Sequence, residues 1–153
     1  MSETNPRAAA AFEGITPIFS VRDLTVSIDY YVRVLGFVLD WEGPGGFASV
    51  SRGGCAIFLA EGDQGHPGGW VWIGVGEVDA LFKEFNRPDV RIRQAPTNFD
   101  WAYEMQVEDP DGNVIRFGSE PKPGLAPGEW IDMRGDHWRK SQDGRWARIV
   151  KGN

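Results

Sequence analysis

Cysteine and histidine are almost missing from this sequence. Its 153 residues hold one cysteine, Cys55, and two histidines, His66 and His137. A single thiol excludes an internal disulfide framework and fits a reducing compartment, so a cytoplasmic location is expected. No apolar run reaches the roughly 18 residues that a membrane span needs. The opening MSETNPRAAAAF lacks a charged start followed by an apolar stretch, so no secretion signal and no membrane partner are expected. Basic charge is also scarce. Residues 1–120 carry 18 acidic and 9 basic side chains, against 4 and 7 in residues 121–153. An acidic body argues against nucleic acid, whose phosphates favour a basic face, and suits a cationic small ligand. No Ser-His-Asp arrangement, phosphate-binding glycine loop or cofactor fingerprint stands out. Cys55 has neither histidine near it in sequence to serve as base, and it reads as a small buried hydrophobe. No catalytic residue and no cofactor are therefore expected.

Tryptophan, by contrast, is plentiful, with seven in the chain. ITPIFSV (15–21) reads as a buried strand. Asp23 and Thr25 offer helix-capping chemistry, and Ile28, Tyr31, Val32 and Leu35 follow at helical spacing. Gly36 is placed to end that helix, and three short strands follow at 37–42, 46–52 and 55–61. After GDQGHPGG the order restarts. WVWIGV (70–75) is a strand, Val78, Leu81, Phe82 and Phe85 form a helical face, and strands are expected at 90–95, 101–109 and 113–119. The halves align with Val21 against Val75 and Gly54 against Gly112. Residues 1–14 form a polar lead. PKPGLAPG (121–128) reads as a linker, and the tail to residue 153, with Trp130, Trp138 and Trp146, is expected to form a hairpin about Asp143-Gly144 and to dock.

TPIFSVRDL, DYYVRVLGF, WVWIGVGEVDALF and EDPDGNVIRF together resemble the vicinal oxygen chelate superfamily, and most of all its bleomycin-resistance proteins. The resemblance covers residues 15–120 and implies an α+β fold. Two βαβββ modules, about 15–61 and 70–120, would form a cupped mixed sheet, with the tail as a C-terminal extension. It also implies a homodimer with ligand clefts between subunits.

Metal enzymes of this superfamily draw His and Glu ligands from the facing strands. The corresponding positions here are Thr16, Phe58, Trp70 and Arg116. A hydroxyl, two aromatic rings and a guanidinium do not make a divalent-metal cage, so no metal is expected. Trp70 and Trp72 lie two apart on a strand and share a face. They are candidates for lining the cup, with Phe58 by repeat register and Phe47 from the neighbouring strand. The resemblance adds Trp101, placed where relatives sandwich a planar heteroaromatic group, although Ala102 and Tyr103 depart from the usual residues after it. Arg116 implies either an internal ion pair or an anionic ligand group. Asp40, Glu42 and Glu61 are strand carboxylates that either meet a cationic ligand or are simply exposed.

The function expected is metal-independent binding and sequestration of a planar aromatic ligand, with room for positive charge on it. A metal-independent lyase or isomerase using Arg116 and a cup carboxylate is the alternative. A tail that binds another protein is a third.

Overall fold

Asp23 opens the first helix. Its backbone is extended and its carboxylate accepts a hydrogen bond from the Val26 amide at 3.1 Å, satisfying a donor that the helix start leaves free. The structure, a computed structural model, describes residues 10–150. Helix α1 (Leu24–Asp29) runs on into a π-helical stretch, Tyr30–Val34, closed by the Leu35 amide on the Tyr30 carbonyl. The wider turn changes which residues face inward. Tyr30, Tyr31 and Leu35 are buried, while Ile28 and Val32, predicted at α-helical spacing, are half-buried. Gly36 then turns the chain at a φ of 76°, a left-handed conformation that a side chain would resist.

The first module comprises β1 (Ile18–Ser20), α1, β2 (Val38–Gly43), β3 (Phe47–Arg52) and β4 (Cys55–Ala60), with the strands ordered β1-β4-β3-β2. Residues 70–119 repeat it as β5 (Trp70–Gly74), α2 (Val78–Phe85), β6 (Arg91–Asn98), β7 (Tyr103–Glu108) and β8 (Val114–Ser119), ordered β5-β8-β7-β6. In both sheets the first strand runs parallel to the last and the others are antiparallel. The repeat extends to register: Ile18 pairs with Phe58 as Trp72 pairs with Arg116. The fold is α+β, with two βαβββ modules.

One face of each sheet is apolar and turned to a shared core. Val50, Ile57 and Leu59 from the first sheet join Met105, Val107, Ile115 and Phe117 from the second, with Tyr31, Leu35, Val78 and Phe85 from the helices. Each such side chain contributes about 1.5–3 kcal/mol by leaving water. The turn DPDGN provides the polar joint. Asp109 is 1% exposed and accepts from the Tyr31 hydroxyl at 2.9 Å and from the Asp111 and Asn113 amides. Asn113 reaches the Ser20 carbonyl at 3.0 Å, and Arg22 pairs with Asp111 at 2.9 Å. Burial pushes the Asp109 carboxyl up from its ordinary range, against these donors that hold it down.

The tail forms a third sheet, β11-β10-β9, from β9 (Trp130–Ile131), β10 (His137–Lys140) and β11 (Trp146–Arg148). The hairpin turns at Asp143-Gly144 as its sequence suggests, and the added strand β9 is the feature that periodicity did not signal. Among the described residues no helix is long and apolar enough to cross a membrane.

Candidate functional site

Alternation along β5, β7 and β8 decides what the outer face of the second sheet presents. Val71, Ile73, Met105, Val107, Ile115 and Phe117 point inward, which leaves Trp70, Trp72, Glu104, Gln106 and Arg116 on the other side. Trp72 is 49% exposed and lies along the sheet over Gly74 and Gly118. A Cβ at Gly118 would sit 2.5 Å from the Trp72 ring, so the missing side chain is what lets the indole lie flat. Trp70 is half-buried, with the Arg93 guanidinium 4.8 Å above its ring.

Glu104 organises the charges on this face. It is 1% exposed and takes two hydrogen bonds from Arg116, at 3.0 and 3.1 Å, and a third from the Trp101 indole N–H. Of the two readings open for Arg116, the internal ion pair is the one present. Its guanidinium also lies 4.6 Å from the Trp130 ring centre. Arg93 donates to Gln106 and to the backbone carbonyls of Ile131 and Asp132, and Gln94 donates to the Glu129 carbonyl at 2.8 Å. The tail is thus held on this face by backbone acceptors. Gln106 Nε2 is buried there without a hydrogen-bond partner among the described residues.

Trp101 sits in the β6–β7 connection, stacked on buried Phe99 at 4.7 Å with the planes 1° apart, and is itself 47% exposed. Trp130 and Trp146 approach it at 6.1 and 5.9 Å. Phe47 and Phe58 belong to a separate cluster on the first sheet, 5.2 Å apart and joined by Trp41 at 5.8 and 5.5 Å. Among the described residues no ring contact joins this trio to Trp70, Trp72 or Trp101 within the chain. The structure therefore sorts the six expected lining residues into two groups: Trp70, Trp72, Trp101 and Arg116 on one face, and Phe47 and Phe58 on the other.

The carboxylates are largely engaged. Asp40 accepts from Ser49 at 3.0 Å and Ser51 at 2.7 Å, and Glu61 accepts from the Leu24 amide at 2.7 Å. Cys55, the first residue of β4, is half-buried and not fully buried as expected. No three His, Cys, Asp or Glu side chains converge among the described residues. The superfamily's metal positions are occupied by groups of the wrong chemistry, and at one of them Arg116 is already clamped by a carboxylate. This donor set does not fit a divalent metal.

Sequence reasoning missed Trp41, Arg93 and Glu104. Glu104 was within reach of strand alternation, since Tyr103, Met105 and Val107 point inward and Glu104 must then share a face with Arg116. Arg93 was within the same reach, being one residue on from inward Ile92, whereas the register break between Ile92 and Gln94 is what brings Gln94 onto that face beside it.

The family model described as Glyoxalase/Bleomycin resistance protein/Dioxygenase superfamily matches residues 14–117. Among solved structures, a bleomycin-binding protein from bleomycin-producing Streptomyces verticillus, complexed with copper(II)-bleomycin, is 26% identical with a TM-score of 0.60. The alignment covers 74% of this chain and 99% of that one. TnmS3, an antibiotic binding protein from Streptomyces sp. CB03234, is also 26% identical, with a TM-score of 0.59 and coverage of 74% and 100%. A member of the superfamily from Sphaerobacter thermophilus shares the fold at 23% identity and a TM-score of 0.63, over 73% of this chain and 99% of that one. No curated protein matches the sequence.

Proposed function

Because the chain belongs to the glyoxalase/bleomycin resistance protein/dioxygenase superfamily, we propose that it sequesters a planar aromatic small molecule without help from a metal. The ligand would lie on the outer face of the second sheet. The observation that carries this reading is the pair of half-exposed indoles, Trp72 and Trp101, on the face whose charged groups are already paired. Flat apolar faces that remain in water gain by stacking on a conjugated ligand, by about 0.5–1.5 kcal/mol per ring beyond the area buried. Antibiotic binding by the two Streptomyces relatives supports a small-molecule ligand. Arg116 spends its Nε/Nη2 edge on Glu104, so its charge is already balanced inside the protein, which favours binding over a lyase or isomerase that would need that charge for a substrate anion.

The binding unit would be a homodimer. Val38, Leu39 and Trp41 on edge strand β2 are 64%, 39% and 45% exposed, an apolar edge that a second copy would cover. Phe47 and Phe58 would then meet the ligand from the partner subunit, which reconciles their separation from Trp72 within one chain.

Titration with metal-free bleomycin, followed by calorimetry, tests both points on one sample. Saturation at about one ligand per subunit is expected, about tenfold weaker in Trp72→Ala, with sedimentation equilibrium giving a dimer mass. Absence of heat at high micromolar ligand removes bleomycin as the ligand, and unchanged affinity in Trp72→Ala removes the face assigned to it.

A further inference from the structure

The tail contributes a second site outside the region shared with the family. Register puts its aromatic residues on one face: Trp138 pairs with Trp130 on β9 and with Arg148 on β11, while Lys140, two residues along, pairs with Trp146. Side chains paired directly across strands project to the same side, as do residues two apart. Trp130, Trp138 and Trp146 therefore share a face, turned toward Trp101 of the body. The four indoles and Asp132 line a cavity of about 400 Å³. Its walls are not parallel. Trp130 stands at 74° to Trp101, and Trp146 is tilted by 47°.

A slot between parallel rings suits a flat ligand, whereas rings set at steep angles enclose a rounded one. Indole faces carry negative π density and attract cations, most strongly where the cation is poorly hydrated. Asp132 is the one lining residue with a formal charge. It accepts from the Trp138 indole at 2.8 Å and from the Arg134 and Asp136 amides, and among the described residues it has no ion-pair partner. The Trp138 N–H in particular holds its carboxyl below the ordinary range, so it stays ionised. Of the neighbouring cations, Lys140 pairs with Asp100, Arg116 with Glu104 and Arg148 with Asp136, while Arg93 is held by the Ile131 and Asp132 backbone carbonyls and Arg134 adds a smaller attraction to the Asp132 carboxylate.

From this arrangement we propose that the tail box binds a compact organic cation, a trimethylammonium-type group seated between Trp101, Trp130, Trp138 and Trp146, with Asp132 balancing its charge. The site is separate from the planar-ligand face on the sheet, sharing Trp101 alone. Planar-ligand binding can fail without touching this proposal.

The decisive comparison uses the full-length protein and two ligands of one shape: choline, and its neutral isostere 3,3-dimethylbutan-1-ol. In proton NMR, methyl groups held over indole faces shift upfield. The choline N-methyl signal is expected to shift saturably, with a midpoint at least about tenfold below that of the alcohol. Asp132→Asn keeps the oxygen that accepts from the two amides but sets an NH2 against the Trp138 indole N–H, so it should weaken choline by a several-fold larger factor than it weakens the alcohol. Equal midpoints for the two ligands, or no saturable shift at tens of millimolar choline, would overturn the proposal. This holds whatever the variant does, because the comparison is made on the unaltered chain. Sedimentation with phosphatidylcholine vesicles identifies the source of the group. Vesicle binding that choline displaces assigns it to a lipid headgroup, and choline binding without vesicle binding assigns it to a free small molecule.

Discussion

Glu104 does two things with one carboxylate. It neutralises Arg116 through two hydrogen bonds, orients the Trp101 indole through a third, and does so at 1% exposure, where an unpaired charge would be costly. Glu104→Ala is expected to lower stability by about 2–3 kcal/mol, since it strands the Arg116 guanidinium and leaves the Trp101 N–H without its acceptor. Arg116 remains 27% exposed, and that partial hydration keeps the loss below the largest buried-pair values. Urea unfolding measures it, and the double variant Glu104→Ala/Arg116→Met should recover a good part of the loss. A loss under about 0.5 kcal/mol in the single variant would mean that the pair is merely a surface contact. The same cluster shows what the sequence could say at this scale. Arg116 was legible as a charge needing a partner, because the family resemblance placed it at a position that faces into the cup. Its partner was not singled out, because a carboxylate in WAYEMQVED reads equally well as a solvated residue until Arg116 is known to lie one strand away.

At the scale of elements, the two βαβββ units were legible because helix and strand periodicities differ and each unit ends in turn residues. The π-helical stretch and the breaks in β6 were not. Each inserts a residue that shifts the phase of the pattern without altering its composition. The same logic applies where a strand must lack a side chain. β5 and β8 lie side by side with Trp72 opposite Arg116 and Gly74 opposite Gly118, so the indole occupies space that two Cβ atoms would otherwise fill. Gly118→Ala places a methyl 2.5 Å from the present ring position and must lift the indole from the sheet. With half of the ring already in water, the expected stability loss is modest, about 1 kcal/mol. The larger consequence is for the ligand face. Bleomycin affinity, where present, should fall as far as in Trp72→Ala, although the tryptophan is retained. Unchanged affinity in Gly118→Ala would show that the flat pose of Trp72 is irrelevant to binding.

Across the whole molecule, the three tyrosines tie the parts together. Tyr30 and Tyr31 on the first module donate to the Glu108 carbonyl and the Asp109 carboxylate of the second, while Tyr103 donates to Asp79, which also pairs with Lys122 of the linker. Burial is the main cause of a raised phenol pKa at all three, with neighbouring carboxylates adding to it. Tyr30 and Tyr103 are pushed up to about 12, and Tyr31 is raised well above the ordinary value of 10.0. An unfolded chain loses these protons near pH 10, whereas the folded chain keeps them. In that window the folded state binds more protons, so raising the pH favours unfolding. Stability is therefore expected to be insensitive to tyrosine below pH 10 and to fall steeply between pH 10 and about 12, with ionisation and unfolding occurring together. Absorbance at 295 nm against pH, recorded beside far-ultraviolet circular dichroism, checks this. Phenolate appearing with a midpoint near 10 while the dichroism stays native would mean that the tyrosines are hydrated and that the joint between the modules is open. Tyr31→Phe separates the joint from bulk burial. It removes the hydroxyl that Asp109 accepts from while keeping the ring in the core, so the alkaline transition should become shallower as the neutral-pH stability drops by about 1–2 kcal/mol.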